Sequence, residues 1–368
     1  MKPALCVMPA LRWRTETGFG HEDRAIDAAL KLGVGGFIVF GVGGARADEI
    51  GRLTEELQGR AGRPLLIGAD LERGAGQQAR RLTEIPPPGA LASLQDSAVV
   101  AWAGATTARE ARGIGINWIF APDADLDIEP ENPIVQTRSF GASPEVVSQA
   151  VAVWIHAAQG EGVLACAKHY PGHGRTRDDS HQALPVVNAP LKELEATDLR
   201  PFRSAIEAGV AAVMTGHVAY PAWDPSGAPA TRSATILGQL RTTLGFNGLV
   251  VTDALIMKGA QAEQGEAEAA LAAFTAGCDV LLYPPNLEAA VAALRRASED
   301  NKDVARRVVE SVARYERALA TAFAVVIVKR DCPTCTTPAE IPRIRPNATN
   351  RNSSGGSPER PAKRRINT

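Results

Sequence analysis

Residues 36–69 read GFIVFGVGGARADEIGRLTEELQGRAGRPLLIGA. Gly36–Phe40 is a short run apolar on both faces, a glycine-rich turn follows, residues 46–60 have helical spacing, and Pro64–Ala69 opens a second apolar run. A strand that is apolar on both faces needs cover on both, which a parallel sheet flanked by helices supplies. The unit recurs along the chain. Apolar runs stand at Leu5–Pro9, Gly36–Phe40, Pro64–Ala69, Asn117–Ala121, Val163–Ala167, Ala211–Thr215, Leu249–Thr252 and Val280–Tyr283. Helical stretches are expected at about 22–32, 46–60, 96–112, 144–159, 191–208, 233–243, 262–276 and 287–298, with a last amphipathic helix near Val304–Ala322.

Eight βα units in this length predict an α/β fold, a single closed (β/α)8 barrel of the TIM type. Spacing alone leaves an open, doubly wound sheet as the alternative. The expected division is a catalytic domain at 1–324 and a disordered basic tail at 325–368. Residues 329–368 carry nine Lys and Arg against three acidic residues and little apolar content, so the rest of the chain holds a net charge of −7. The overall charge of −1 gives no reason to expect nucleic acid or an anionic membrane as partner. A small neutral substrate and a monomer are expected. Cys6, Cys166 and Cys278 stand alone in apolar segments, and Cys332 and Cys335 lack nearby histidines, so neither a disulfide framework nor a zinc site is expected. The N-terminal apolar run is broken by Pro3 and Pro9, and no run approaches the roughly 20 apolar residues of a membrane span, so a cytoplasmic location is expected.

In a barrel of this kind the chemistry sits where the strands end. The polar residues there are Asp70-Leu71-Glu72-Arg73, Asp123 with Arg138 further along the loop, Lys168-His169, Gly216-His217 and Asp253. The densest segment runs from Lys168 to His181 and holds three of the six histidines. Pro171, Gly172 and Gly174 break any helix there, so His169 and His173 do not share a helical face, and a metal site built from His169, His173, His181 and Asp179 lacks an organising pattern. Asp179 and His181, two apart in an extended loop, point to one side, an arrangement in which a carboxylate orients a proton-transferring imidazole. A loop hydrogen bond that only rigidifies the turn is the other reading of that pair. The adjacent Ser180 gives poor geometry for a Ser-His-Asp triad.

The segment Lys168-His169-Tyr170-Pro171-Gly172-His173-Gly174 followed by Asp179-Ser180-His181, with Asn132-Pro133 and Arg138-Ser139-Phe140-Gly141 upstream and Thr252-Asp253-Ala254-Leu255-Ile256-Met257 downstream, resembles the glycoside hydrolase family 3 β-N-acetylglucosaminidases of the NagZ type. The resemblance spans about residues 1–320 and implies a retaining, exo-acting hydrolase of terminal β-linked N-acetylglucosamine. It implies Asp253 as nucleophile, His181 with Asp179 as acid/base pair, and Asp70, Arg138, Lys168 and His169 as ligands of the terminal sugar, with His217 lining the pocket. It implies neither metal nor organic cofactor. Two positions depart from the family pattern: Ala254 follows the nucleophile where an aspartate is common, and Arg73-Gly74-Ala75-Gly76 stands in place of a Gly-Gly-Arg run. A β-glucosidase of the same family, phosphorolytic cleavage of the same glycosides, and a non-catalytic sugar-binding barrel are the alternatives. Because the barrel is expected to be complete before it, deletion of residues 331–368 is expected to leave the melting temperature and glycosidase activity nearly unchanged. A thermal melt and an assay of the truncated chain check this.

Overall fold

The computed structural model describes residues 2–180, 182–261 and 265–330. The strands are β1 Val7–Met8, β2 Ala10–Arg12, β3 Gly36–Phe40, β4 Leu66–Ala69, β5 Trp118–Ile119, β6 Leu164–Tyr170, β7 Ala212–Thr215, β8 Leu249–Thr252 and β9 Leu281–Leu282. The helices are α1 Asp23–Leu32, α2 Ala47–Ala61, α3 Pro88–Ser93, α4 Ser97–Gly113, α5 Pro144–Gly160, α6 Leu191–Ala196, α7 Leu199–Glu207, α8 Ala234–Thr242, α9 Glu266–Ala276, α10 Leu287–Asp300 and α11 Lys302–Arg330.

Each expected apolar run contains a strand, and all the pairings are parallel. The first run, Leu5–Pro9, holds β1, which pairs with β9 and stops before Pro9, which has no N–H to give a ladder. Just beyond the expected run, β2 continues the edge and pairs with β3. From β2 to β8 each strand pairs with the next. A bridge between Val251 and Val280 joins β8 to the residue before β9 and closes the ring, so the fold is the (β/α)8 barrel rather than the open sheet. No helix among the described residues is long and apolar enough to cross a membrane.

The closed ring separates two apolar regions. Between strands and helices lies the larger core, fed by helix faces such as Ile50, Leu53 and Leu57 of α2. Inside the ring, alternate strand residues such as Met8, Ile38, Leu66, Trp118, Cys166 and Val251 form a second cluster. Gly68 belongs to this interior row, and a Cβ there would come within 2.7 Å of the Phe120 ring, so glycine makes room for an aromatic residue in the lumen. The N-terminal end is plugged by α11, whose Tyr315, Leu319 and Phe323 pack on the interior cluster. The Tyr315 hydroxyl donates to the Gly35 carbonyl at 2.5 Å.

Asp279, just before β9, is fully buried and ties this plug to the barrel. Its carboxylate accepts from Arg241 (2.5 Å), Ser311 (2.8 Å), Arg314 (3.1 Å) and Arg307 (3.4 Å), and from the backbone N–H of Val250 (3.0 Å). Removing the one anion leaves three partly buried guanidinium groups facing one another. Asp279→Ala is therefore expected to lower unfolding free energy by about 3 kcal/mol or more, read as a lower urea midpoint with unchanged slope.

Candidate active site

The inward rows that fill the lumen continue upward into charge. In β4 the row Leu66, Gly68 leads to Asp70, in β6 Cys166 leads to Lys168, and in β8 Val251 leads to Asp253. Alternation along a strand therefore brings three of the expected site residues to one end of the barrel, separated in the chain but adjacent in space.

Lys168, only 2% exposed, donates to Asp70 Oδ1 and Glu72 Oε1, both at 2.7 Å. Arg138 grips Glu72 with two parallel bonds, Nε to Oε2 at 2.8 Å and Nη2 to Oε1 at 2.7 Å, and Nη2 lies 3.5 Å from His169 Nε2. Glu72 is thus shared by both cations. Burial alone would raise its pKa, but Lys168 and Arg138 hold it far below the usual carboxylate range. Burial would likewise strip Lys168 of its proton, and Asp70 and Glu72 reverse that. Four of the residues expected to bind sugar, Asp70, Arg138, Lys168 and His169, form one connected group, with Glu72 at its centre.

His169 is set by Asp125. That carboxylate accepts from His169 Nδ1 at 2.7 Å, from the His169 backbone N–H at 3.2 Å, and from the His173 backbone N–H at 2.6 Å. Burial opposes the charge of each member, but the contact holds the Asp125 pKa down and the His169 pKa up. Asp123 sits beside this pair. One of its oxygens accepts from the Asp125 backbone N–H at 2.9 Å, and the other, buried, has no hydrogen-bond partner, with Arg138 at 3.8 Å. Burial and the neighbouring Asp125 push the Asp123 carboxyl up to about 8. Ligand atoms of Asp123, Asp125 and His169 lie within 4.8 Å of one another, close enough for a cation, but the Arg138 guanidinium already supplies positive charge against Asp123 and His169.

Asp253 follows β8, half-buried, and its carboxylate accepts from the backbone N–H of Ala254 at 2.7 Å. Burial favours its neutral form, yet His169, His217 and Lys168 hold its pKa below the ordinary value. His217 is fully buried, with Nδ1 at 2.8 Å from Thr231 Oγ1 and Nε2 at 3.2 Å from the Ala254 carbonyl, and burial lowers its pKa.

The loop after β6 is anchored at several points. Asn132 Nδ2 donates to the His173 carbonyl at 2.9 Å, and a Cβ on Gly174 would come within 1.9 Å of the Leu126 carbonyl, so only glycine fits there. His173, considered above as a metal ligand, has both ring nitrogens engaged, by Thr176 Oγ1 at 2.7 Å and Ser180 Oγ at 3.2 Å. Gly259, six residues after Asp253, donates its N–H to the Ser180 carbonyl at 3.0 Å, which fastens the loop beside the end of β8. Asp179 lies in this loop, half-buried, where its backbone carbonyl accepts from Gln182 and Ala183. His181, like the tail with Cys332 and Cys335, lies outside the described residues. Arg175 and Arg177 are taken up by Asp198 and Glu129 at the loop's flanks. Sequence reasoning named Glu72 at a strand end without giving it a part, and passed over Asp125, whose carboxylate finds its partners more than 40 residues away in the chain.

The family model for the glycosyl hydrolase family 3 N-terminal domain matches residues 20–318. The chain is 36% identical over 278 residues to a β-N-acetylglucosaminidase/β-glucosidase of Cellulomonas fimi, covering 73% of this chain and 49% of that protein. It is 39% identical over 266 residues to a β-hexosaminidase of Tolumonas auensis, covering 71% of this chain and 78% of that protein. Among solved structures, a family 3 β-N-acetylglucosaminidase from Paenibacillus sp. superposes with a TM-score of 0.81 at 36% identity, covering 88% of this chain and 62% of that one. The chain therefore spans about half the length of the first relative and under two thirds of the third.

His173 provides a test of the packing of this end. Burial lowers its pKa from 6.5 to about 4, so between those values the unfolded chain binds a proton that the folded chain refuses. Stability from this group is complete above about pH 6.5 and is lost as pH falls towards 4, by up to ~3 kcal/mol. In His173→Gln, the difference in unfolding free energy between pH 7 and pH 4.5, measured by urea titration, is expected to shrink accordingly.

Proposed function

The chain belongs to glycosyl hydrolase family 3, and from that premise we propose that it is a retaining, exo-acting β-N-acetylglucosaminidase. The observation that carries the reading is the charged group Asp70–Lys168–Glu72–Arg138–His169, built on the buried Lys168, Glu72 and His169, beside Asp253 at the barrel mouth. A sugar hydroxyl that leaves water must find both donors and acceptors, and this connected group offers both. The names carried by the Cellulomonas, Tolumonas and Paenibacillus proteins support the N-acetylhexosaminide as substrate.

In the proposed mechanism the Asp253 carboxylate attacks the anomeric carbon as the glycosidic bond breaks, giving a glycosyl ester, and water then releases the sugar with its original configuration. Asp253 is suited to this because neighbouring positive and imidazole groups keep it ionised despite burial. His181, oriented by Asp179, delivers the proton to the leaving oxygen and takes one from the incoming water. Asp70, Arg138, Lys168 and His169 hold the hydroxyls of the terminal ring, and His217, tied to the carbonyl of the residue after the nucleophile, lines the site. The catalytic unit is proposed to be residues 1–324, with 325–368 outside it.

The Cellulomonas relative is named for β-glucosidase activity as well, which makes β-glucoside hydrolysis the second reading. Assays with p-nitrophenyl β-N-acetylglucosaminide and β-glucoside side by side decide between them, and the first is expected to be cleaved with the higher kcat/KM. Asp253→Asn, which removes a charge with almost no change of volume, is expected to lower kcat by a factor of about 10³ or more while leaving the melting temperature within a few degrees. Labelling by a 5-fluoro glycosyl fluoride should fall on Asp253. Modification of another carboxylate would overturn the assignment.

A further inference from the structure

The barrel mouth has a second side, where a single cation lies on two aromatic rings. Ala10 and Ile38 face the lumen, and strand alternation turns Arg12 and Phe40, which are register partners in β2 and β3, the same way. Tyr283, directly after β9, packs on the same interior cluster and completes the set. These three residues stand at the ends of the first, second and eighth strands of the ring. Asp70, Lys168 and Asp253 end the third, fifth and seventh.

The three form a compact unit. The Arg12 guanidinium lies 4.4 Å from the Phe40 ring centre and 5.2 Å from that of Tyr283, and Nε donates to the Tyr283 hydroxyl at 3.0 Å. The two rings are 6.2 Å apart and inclined at 43°. Among the described residues neither terminal nitrogen of Arg12 has a hydrogen-bond partner, although both carry donors. Tyr283 also holds φ at +48°, a conformation that a bulky residue seldom adopts, with its N–H tied to the Met8 carbonyl at 2.8 Å. A stacked cation over two aromatic rings, with unused donors and a strained member, is an unusual surface to leave beside a catalytic pocket.

We propose that Arg12, Phe40 and Tyr283 form the subsite for the leaving-group sugar ring, a proposal that rests on the glycosidase reading above. The apolar face of a pyranose lies against the aromatic and guanidinium surface, and the two terminal nitrogens of Arg12 donate to its hydroxyls. The terminal ring, by contrast, is the one whose hydroxyls require the dense, buried donors and acceptors around Lys168. Exposure points the same way: Arg12 is exposed and both rings are half-buried, whereas Lys168 and His169 are almost fully covered. A ring that continues into a longer substrate has to lie on the open side.

The test compares two substrates, N-acetylglucosaminyl fluoride, whose leaving group has no ring, and N,N′-diacetylchitobiose, whose leaving group is a sugar. In Arg12→Ala, and in Tyr283→Asn, which tolerates the backbone conformation, the ratio of kcat/KM for the disaccharide to that for the fluoride is expected to fall at least tenfold. Phe40→Leu, which keeps the apolar packing but not the ring, is expected to act in the same direction. A merely structural role would lower both values together, so an unchanged ratio overturns the proposal. Saturation-transfer NMR of the disaccharide on Asp253→Asn, with and without Arg12→Ala, supplies the second arm. Loss of transfer to the leaving-ring protons alone supports the subsite, and equal transfer in both proteins overturns it. Should the unsubstituted protein cleave neither substrate, the hydrolase reading fails, and the NMR comparison still decides the subsite.

Discussion

A buried ammonium group needs negative charge within hydrogen-bond reach, and Lys168 satisfies that need with two carboxylates that come from a single strand end. Everything near the barrel mouth follows from this constraint. Asp70 and Glu72 must be presented together, so the chain after β4 has to leave the strand with both residues turned towards β6. Glu72 then carries enough negative charge for a second cation, and Arg138 takes it with a two-point grip. Taking away Glu72 leaves Arg138 without its bidentate partner and Lys168 with Asp70 alone, and charges so stranded cost far more than they contribute when paired.

Asp125 does for the loop what Glu72 does for the side chains. It gathers two backbone N–H groups and one imidazole, and the Ser139 hydroxyl donates to its carbonyl at 2.6 Å, which links the loop bearing Arg138 to the end of β6 and the loop that follows it. Asn132, which donates to the His173 carbonyl, is a second tie between the same two segments. Rotation of the His169 ring is restrained, and its Nε2 is left directed at Arg138. Rigid placement of this kind matters for binding, because a side chain already held in place loses little freedom when a ligand arrives.

The strands were legible because parallel strands buried on both faces must be apolar throughout, which leaves eight short runs that stand out from their surroundings. Residues following such runs directly, Asp70, Lys168 and Asp253, were legible for the same reason, since alternation extends one step beyond the strand, and His217 was legible from its place just past the sixth run. The part Glu72 plays was not, and Asp125 was missed, because both lie in irregular segments where no period says which way a side chain points, and Arg138 and His169 sit 66 and 44 residues from them. His173 showed how a histidine-rich loop misleads: the residue type suggests chemistry, whereas its contacts with Thr176 and Ser180 are those of a buried packing residue. The platform of Arg12, Phe40 and Tyr283 was hidden altogether, since two of its members belong to apolar runs and the partnership joins opposite ends of the barrel domain.

The closure of the ring sets an order of events during synthesis. Val7 pairs with Leu281, and Tyr315 reaches back to Gly35, so the first strand has no second neighbour and the lumen no floor until the ribosome has made the last strand and the helix beyond it. Contacts of such sequence separation form late, and the apolar interior of the open sheet stays accessible meanwhile. The closing contacts therefore join the first strand to the last residues of the barrel, and no arrangement of the earlier strands can complete the ring without them.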